Sequence, residues 1–132
     1  MQEKDLVRRL KKTLETRLPG AVVIKHSDAI VAGVPDLSVT WNGATTWLEV
    51  KHDVGKIISR EIQRWMVKRL AIQGRCLYVV YRDRAKEGPR TYVISGASDV
   101  HEAMETVVYR AGHDHDFVAE AIRRSYQERI GG

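Results

Sequence analysis

The chain contains very little cysteine and no long hydrophobic run. Its single cysteine, Cys76, excludes an intramolecular disulfide framework and any zinc site built from several cysteines. The longest apolar stretches fall far short of the roughly 18 residues that a membrane span requires. The first five residues, Met-Gln-Glu-Lys-Asp, lack the apolar segment of a secretory signal. We therefore expect a cytoplasmic protein with no membrane association.

Internal repeats, low-complexity tracts and linkers rich in proline, glycine or serine are also absent from the sequence. The chain has 132 residues, of which 43% are hydrophobic and 30% are charged, as in an ordinary globular protein. This length fits a single domain, which we expect to span 1–132. A glycine loop of the Walker or dinucleotide-binding type is missing, which argues against NTP-driven activity.

The charge balance of the chain is basic. Twenty-two Lys and Arg residues against seventeen Asp and Glu give a net charge of +5. A basic balance favours an anionic partner, of which nucleic acid is the commonest. Many basic domains bind nothing anionic, so charge alone leaves a merely soluble basic surface as an equal alternative.

Hydrophobic periodicity predicts the order of helices and strands. We expect helices over 4–18, 59–73, about 98–111 and 116–129, and strands over 21–25, 36–41, 44–51, 76–82 and 91–95. The first and fourth strands have the composition of buried strands, and the fifth that of an edge strand. The order α-β-β-β-α-β, followed by a short strand and two helices, indicates an α/β domain with a mixed sheet flanked by helices.

The dipeptide Asn42-Gly43 is a strong signal for a two-residue hairpin turn. Such a turn would pair Leu37 with Leu48 on one face of the hairpin. On the other face it would place Asp36 directly opposite Glu49. A shift of one residue or a bulge at the turn would break this register, so the geometry depends on the turn type.

Like charges that face each other across two strands are destabilising. Lys51 lies on the same face as Asp36 and Glu49, and a divalent metal held by both carboxylates is the simplest counterion. The alternative is that Asp36 is only a turn residue after Pro35, while Glu49 and Lys51 form a surface ion pair.

The sequence Gly-Val-Pro-Asp-Leu at 33–37, followed by Glu49-Val50-Lys51, resembles the motif of the PD-(D/E)xK nuclease superfamily. Within it, the sequence is most similar to the VRR-NUC and Holliday-junction-resolvase-like nucleases of phages and DNA repair. The resemblance implies a restriction-endonuclease-like αβββαβ core over about 3–82, with a C-terminal strand and helices over 90–130. It also implies a Mg²⁺- or Mn²⁺-dependent endodeoxyribonuclease.

The resemblance assigns roles to the motif residues. Asp36, Glu49 and the backbone carbonyl of Val50 would hold Mg²⁺ or Mn²⁺. Lys51 would orient or deprotonate the attacking water and offset charge in the transition state. These roles are expectations that depend on the hairpin register.

Two further residues are candidates for the catalytic site. The family usually adds an acidic residue from the first helix, and Glu3 lies within about 60° of the apolar stripe of that helix. Glu3 would otherwise be an N-terminal acid favoured by the helix dipole. VRR-NUC-like proteins also carry a Gln on the helix after the Glu-x-Lys strand. Gln63 lies inside an apolar arc there, or at the margin of that arc as a surface residue.

Five basic side chains are candidates for DNA contact: Lys25, His26, Lys56, Arg60 and Arg64. Arg60 and Arg64 share one helix face, which is either a phosphate-tracking face or simply solvated. Lys25, His26 and Lys56 are expected near the strand ends, where the site would be. His52 follows Lys51 directly and would point to the other face of the sheet, so no chemistry is assigned to it.

The segment His113-Asp114-His115-Asp116 suggests a second metal site, but no partner at metal-ligand spacing is apparent. Helix capping by Asp114 or Asp116 is the simpler interpretation. The C-terminal helices would either form a homodimer interface or cover the sheet. The candidate interface stripe consists of Val100, Met104, Val107 and Val108.

The expected substrate is DNA, with branched or junction DNA favoured because the chain has little room for a separate sequence-reading domain. A resolvase cuts two strands, which suggests a homodimer with two active sites. A sequence-specific restriction- or homing-type endonuclease remains an alternative. So does a non-catalytic DNA-binding module that keeps the fold.

Overall fold

One six-stranded sheet organises the chain, in the strand order β1-β2-β3-β4-β5-β6. The computed structural model describes residues 2–26, 33–53, 61–83, 86 and 88–131, with the backbone alone for 127–131. Its elements are α1 (Glu3–Arg17), β1 (Val22–Lys25), β2 (Leu37–Trp41), β3 (Ala44–Asp53), α2 (Glu61–Gln73), β4 (Arg75–Arg82), β5 (Arg90–Ser95), α3 (Val100–Ala103), β6 (Tyr109–Ala111) and α4 (His115–Gly131). Among the described helices, none combines the length and the apolar character needed to cross a membrane.

The sheet is mixed, as the sequence predicts. β3 and β4 pair in parallel, and every other neighbouring pair is antiparallel. A parallel pair requires a crossover connection, and the segment containing α2 provides it. The predicted α/β fold, with a mixed sheet flanked by helices and further helices after the αβββαβ core, is therefore confirmed.

Helices cover both faces of the sheet. Apolar residues of α1 and α4 form one buried cluster with the sheet, and residues of α2 and the segment around α3 form the other. Because side chains alternate along a strand, successive residues of β3 belong to different layers. Leu48 and Val50 join the α1 cluster, while Glu49 and Lys51 lie on the face that α2 covers.

The β2–β3 hairpin has the predicted register. Leu37 pairs with Leu48, and the turn consists of Asn42 and Gly43. Both turn residues have positive φ, 48° and 81°, as the primed turns require to match the right-handed twist of the strands. The register places the residue before Leu37, which is Asp36, next to Glu49.

Two predictions about the sheet edges are wrong. β1 is not a buried strand: only Val23 is buried, and Val22 and Ile24 are exposed. It lies at the edge of the sheet, and the side chains of Val22 and Ile24 are not covered by the described part of the chain. β5 is not an edge strand, because β6 pairs with it antiparallel.

The predicted helix over 98–111 is much shorter in the structure. Asp99 caps α3 by accepting a 3.0 Å hydrogen bond from the Glu102 backbone N–H, but the helix ends at Ala103 and the chain continues into β6. Tyr109, the first residue of β6, is aromatic, which suits a strand. Arg90 stacks 4.1 Å above the Tyr109 ring and reinforces the β5–β6 pairing.

The shorter helix α3 also changes the position of the candidate interface stripe. Val100, Met104 and Val107 pack against the cluster under α2, and only Val108 is exposed. The stripe therefore covers the sheet, which was the alternative interpretation. It offers no continuous apolar face to a second copy of the chain.

The turn generates a stability prediction. Gly43→Ala should lower the free energy of unfolding by about 1 kcal/mol, because an alanine at φ 81° is strained although no neighbour lies within 4 Å of its Cβ. Gly74→Ala is the matched control, since its Cβ also meets open space and its φ is not positive. We expect the control to change stability by less than about 0.5 kcal/mol. Urea unfolding measures both, and equal effects would contradict the turn assignment.

Candidate functional site

Asp36 and Glu49 are brought into contact at the start of β2. The Asp36 Oδ2 atom accepts a 2.8 Å hydrogen bond from the Val50 backbone N–H, which fixes the carboxylate against β3. Its side chain also hydrogen-bonds with the Glu49 carboxyl group. The juxtaposition that the hairpin predicts is therefore present. We call Asp36 and Glu49 the carboxylate pair.

Glu49 is buried in an unusual way for an acidic residue, with only 2% of its surface exposed. Burial, together with the hydrogen bond to Asp36 and the charge of Asp36, raises the pKa of Glu49 to about 9. Glu49 is thus protonated at neutral pH and donates to the Asp36 carboxylate. Its Oε2 atom is buried and has no hydrogen-bond partner among the described residues. Such an atom is costly unless something else satisfies it.

Lys51 is the third member of the site and is also buried, with 6% of its surface exposed. Its Nζ atom donates a 2.9 Å hydrogen bond to Oε1 of Gln63. Gln63 is half-buried on the sheet-facing side of α2, the same side as the buried Val67. The structure therefore brings together Lys51 and Gln63, two of the candidate site residues.

Glu3 lies at the N-terminus of α1, beside the same end of β3. Its Oε2 atom accepts a 3.3 Å hydrogen bond from the His52 backbone N–H. Although the residue as a whole is exposed, partial burial of the carboxyl end and the charge of Asp36 raise the pKa of Glu3, against the opposing charge of Lys51. Glu3 is close enough to Asp36 for the charge of Asp36 to affect its pKa, but its hydrogen bond is to the β3 backbone.

The described basic residues surround the site unevenly. His26 lies next to it, because its backbone N–H donates to the Asp36 carbonyl oxygen at 2.8 Å and its ring contacts Ser38 and Trp47. Arg64 is exposed on α2, and its charge acts on Tyr78, which pairs with Glu49 across β3 and β4. Lys25 is exposed at the end of β1. Lys56 and Arg60 lie outside the described residues.

The carboxylate pair fits a divalent cation. Carboxylate and carbonyl oxygens are the ligands that Mg²⁺ and Mn²⁺ prefer, and the unpartnered Glu49 Oε2 atom is one such donor. Comparison of the chain with models of known protein families gives no match, and comparison with curated protein sequences gives none either. The functional interpretation therefore rests on this geometry and on the motif resemblance.

A second polar cluster lies at the ends of β3 and β4, and the sequence analysis did not predict it. The His52 Nε2 atom is 2.5 Å from Asp83 Oδ2, and the His113 Nε2 atom contacts Asp83 Oδ1. We call these three residues the His-Asp-His cluster. Partial burial tends to raise the pKa of Asp83, but hydrogen bonds from His52 and His113 hold it below its ordinary value.

Only part of this cluster was detectable in the sequence. The alternation at 113–116 is visible, but its partners come from residues 30 and 61 positions away in the chain. The capping interpretation of the same segment is confirmed for one residue. Asp114 Oδ1 accepts a 2.9 Å hydrogen bond from the Phe117 N–H, while Asp116 pairs with Arg17. His115 Nδ1 lies 2.7 Å from the Tyr81 hydroxyl, and burial lowers its pKa.

The raised pKa of Glu49 predicts a pH dependence of stability in the absence of divalent metal. A carboxyl group whose folded-state pKa is about 9 against an ordinary value of 4.5 stabilises the fold fully below pH 4.5 and loses that contribution as the pH rises toward 9. In EDTA, the free energy of unfolding should therefore fall between pH 7 and 8.5, by at most about 1.4 kcal/mol per pH unit.

Glu49→Gln is the matched control because it cannot ionise. Its free energy of unfolding should be nearly flat over the same pH interval, as measured by urea unfolding at each pH. If wild type and the variant have the same pH dependence, Glu49 is already ionised in the metal-free protein.

Proposed function

We propose that the protein is a metal-dependent endodeoxyribonuclease that hydrolyses phosphodiester bonds, with a preference for branched or junction DNA. The observation that carries the proposal is the carboxylate pair, in which Glu49 is buried, beside a buried lysine that donates a hydrogen bond to Gln63. Near neutral pH, two acids in contact are a cost to the fold, because a buried carboxyl group has lost its hydration. A buried acid with a raised pKa beside a second acid is typical of a functional site.

Asp36, Glu49 and the backbone carbonyl of Val50 would hold Mg²⁺ or Mn²⁺. When bound, the ion polarises the scissile phosphate and lowers the pKa of the attacking water. Glu49 has to give up the proton it shares with Asp36 before it can serve as a ligand. On binding an ion the pair would therefore release this proton, and the ion would satisfy Glu49 Oε2, which has no partner among the described residues.

Lys51 would act on the phosphate and on the attacking water. Its ammonium group has three N–H donors, and the hydrogen bond to Gln63 Oε1 directs one of them toward α2. Because the side chain is buried, its position is fixed before substrate binds. Preorganised charge of this kind stabilises the transition state without reorganisation at the moment of reaction.

DNA would approach the exposed side chains around the site. His26 lies next to Asp36, the charge of Arg64 acts on Tyr78 beside Glu49, and the net charge of +5 favours a polyanion. The preference for branched DNA follows from the expectation that a domain of this size has little room for a separate sequence-reading part, and the homodimer with two active sites from the need of a resolvase to cut two strands. Glu3 would support the metal from the α1 side of β3.

The central test is cleavage of labelled linear duplex, single-stranded, flapped and four-way-junction DNA with Mg²⁺, Mn²⁺ or EDTA. Lys51→Ala should reduce the cleavage rate by about 10²–10³-fold while leaving metal binding intact, since it removes one preorganised charge. Asp36→Asn should abolish both metal binding at the pair and cleavage. Lys12→Ala, at an exposed position of α1, is the matched control and should cleave like wild type.

The substrates separate the alternatives. Paired metal-dependent nicks in the junction support the proposal. Cleavage of linear duplex at one sequence, with no preference for junctions, would instead indicate a restriction- or homing-type enzyme. A folded wild-type protein that binds DNA equally well with and without metal, and cleaves none of these substrates, would point to a non-catalytic binding module.

Gln63 has a smaller expected effect than Lys51. Gln63→Ala removes the hydrogen bond that positions the lysine but leaves its charge, so we expect a loss of about tenfold in kcat at saturating DNA. Steady-state cleavage at saturating DNA measures this kcat, with Gln73→Ala, at an exposed position of the same helix, as the control. A Gln63→Ala enzyme with wild-type kcat would show that Lys51 needs no such support.

A further inference from the structure

The His-Asp-His cluster lies apart from the ligands of the proposed nuclease centre. His52 is at the end of β3, Asp83 directly follows β4, and His113 lies in the connection between β6 and α4. Alternation along β3 turns His52 to the opposite face of the sheet from Glu49 and Lys51. The cluster therefore cannot be a part of the same coordination sphere, and the proposed nuclease chemistry leaves it without a role.

The donor atoms of the cluster converge as metal ligands do. One nitrogen from each histidine and one oxygen from Asp83 all lie within 4.8 Å of one another. Both histidines direct Nε2 toward the same carboxylate, each toward a different oxygen. Three side chains from three separate segments thus bring their donor atoms together around one carboxylate.

The chemistry of these donors selects the class of ion. Two imidazole nitrogens suit zinc and its neighbours in the transition series, whereas Mg²⁺ prefers oxygen ligands. Two histidines and one carboxylate are also a common set of three protein ligands for zinc, with water in the fourth position. Asp83 and His113 have 27% and 21% of their side chains exposed, against 5% for His52. Water can therefore reach the open side of the cluster.

We propose that His52, Asp83 and His113 form a second metal site, specific for Zn²⁺ and similar transition-metal ions, that ties the segment before α4 to the ends of β3 and β4. Ligands on one tetrahedral zinc are about 3.3 Å apart. His52 Nε2 and Asp83 Oδ2, now 2.5 Å apart, separate by somewhat less than 1 Å to admit the ion. Each ring offers its Nε2 lone pair once its proton resides on Nδ1.

The surrounding contacts suit a structural role for the ion. Asp83 is anchored through its backbone N–H, which donates to the Asp53 carbonyl oxygen at 2.9 Å. The His113 ring packs edge-on against Tyr81, whose hydroxyl in turn contacts His115. The ion would replace hydrogen bonds between β3, β4 and the C-terminal segment by coordinate bonds, so its binding should stabilise the fold.

The test is to add Zn²⁺ or Co²⁺ to EDTA-stripped protein in excess Mg²⁺. Titration calorimetry measures the binding, and thermal unfolding measures its effect on stability. We expect one Zn²⁺ per chain, an increased Tm, and the same behaviour in Asp36→Asn, which removes the carboxylate pair but not this site. His113→Asn should weaken Zn²⁺ binding at least about tenfold. His101→Asn is the matched control, because His101 is exposed on α3 outside the cluster.

Two results would overturn the proposal. One is Zn²⁺ binding that survives in His113→Asn and disappears in Asp36→Asn, because the ion would then occupy the carboxylate pair. The other is no binding by wild type, which would leave the cluster as a hydrogen-bonded network only. Since DNA cleavage with Mg²⁺ is measured separately, neither result depends on the proposed nuclease activity.

If His113→Asn fails to fold, the visible absorption spectrum of Co²⁺ bound to the wild-type protein tests the site instead. Four-coordinate Co²⁺ absorbs strongly in the visible region, whereas six-coordinate Co²⁺ with oxygen ligands absorbs weakly. Wild type should give the strong spectrum, and His113→Cys should add a thiolate charge-transfer band, since thiolate is also a good ligand for these ions. A weak spectrum from wild type would contradict the site.

Discussion

The pairing of β2 with β3 is the constraint on which the candidate site depends. Two positive-φ residues, Asn42 and Gly43, close the hairpin, and the register they set decides which face of the sheet each following residue occupies. Leu37 and Leu48 enter the core beneath α1 as a result. On the opposite face of the hairpin, the same register brings Asp36 against Glu49. A slip of one residue would exchange the two faces, placing the acids in the apolar cluster beneath α1 and the leucines on the face that α2 covers.

The apolar layers hold a polar site that would be unfavourable by itself. Glu49 and Lys51 are almost completely buried, and desolvation of both groups opposes folding. The protein offsets this cost locally, through the shared proton of the carboxylate pair and the hydrogen bond from Lys51 to Gln63. The result is a set of charged groups fixed by the scaffold, which is what catalysis of phosphodiester hydrolysis would require.

The parts of the structure that follow from local rules were predictable from sequence. The hairpin depends on a turn dipeptide and on alternation, so the contact between Asp36 and Glu49 could be predicted from a short segment. The position of Gln63 followed from helix periodicity in the same way. The segment over 98–111 could not be assigned, because its apolar residues have helical spacing while pairing with β5, a nonlocal contact, draws 109–111 into a strand.

The His-Asp-His cluster also depends on nonlocal contacts that local sequence patterns do not predict. The face of the sheet on which His52 lies could be predicted. Its neighbours on that face depend on the parallel β3–β4 register and on the pairing of β6 with β5, which places the segment before α4. Asp83 follows one strand directly and His113 precedes a helix, so neither residue has a local pattern that indicates its partners. Contacts of this kind are fixed by topology and become visible only when the strands are in place.

A metal-dependent nuclease centre requires that a divalent ion occupies the carboxylate pair. Anomalous scattering from crystals grown with Mn²⁺ tests this most directly. We expect an anomalous peak bonded to the carboxylates of Asp36 and Glu49 and to the Val50 carbonyl, with Lys51 still on Gln63. Crystals in which Mn²⁺ binds elsewhere, while Asp36 and Glu49 remain hydrogen-bonded to each other, would contradict a metal-dependent nuclease centre.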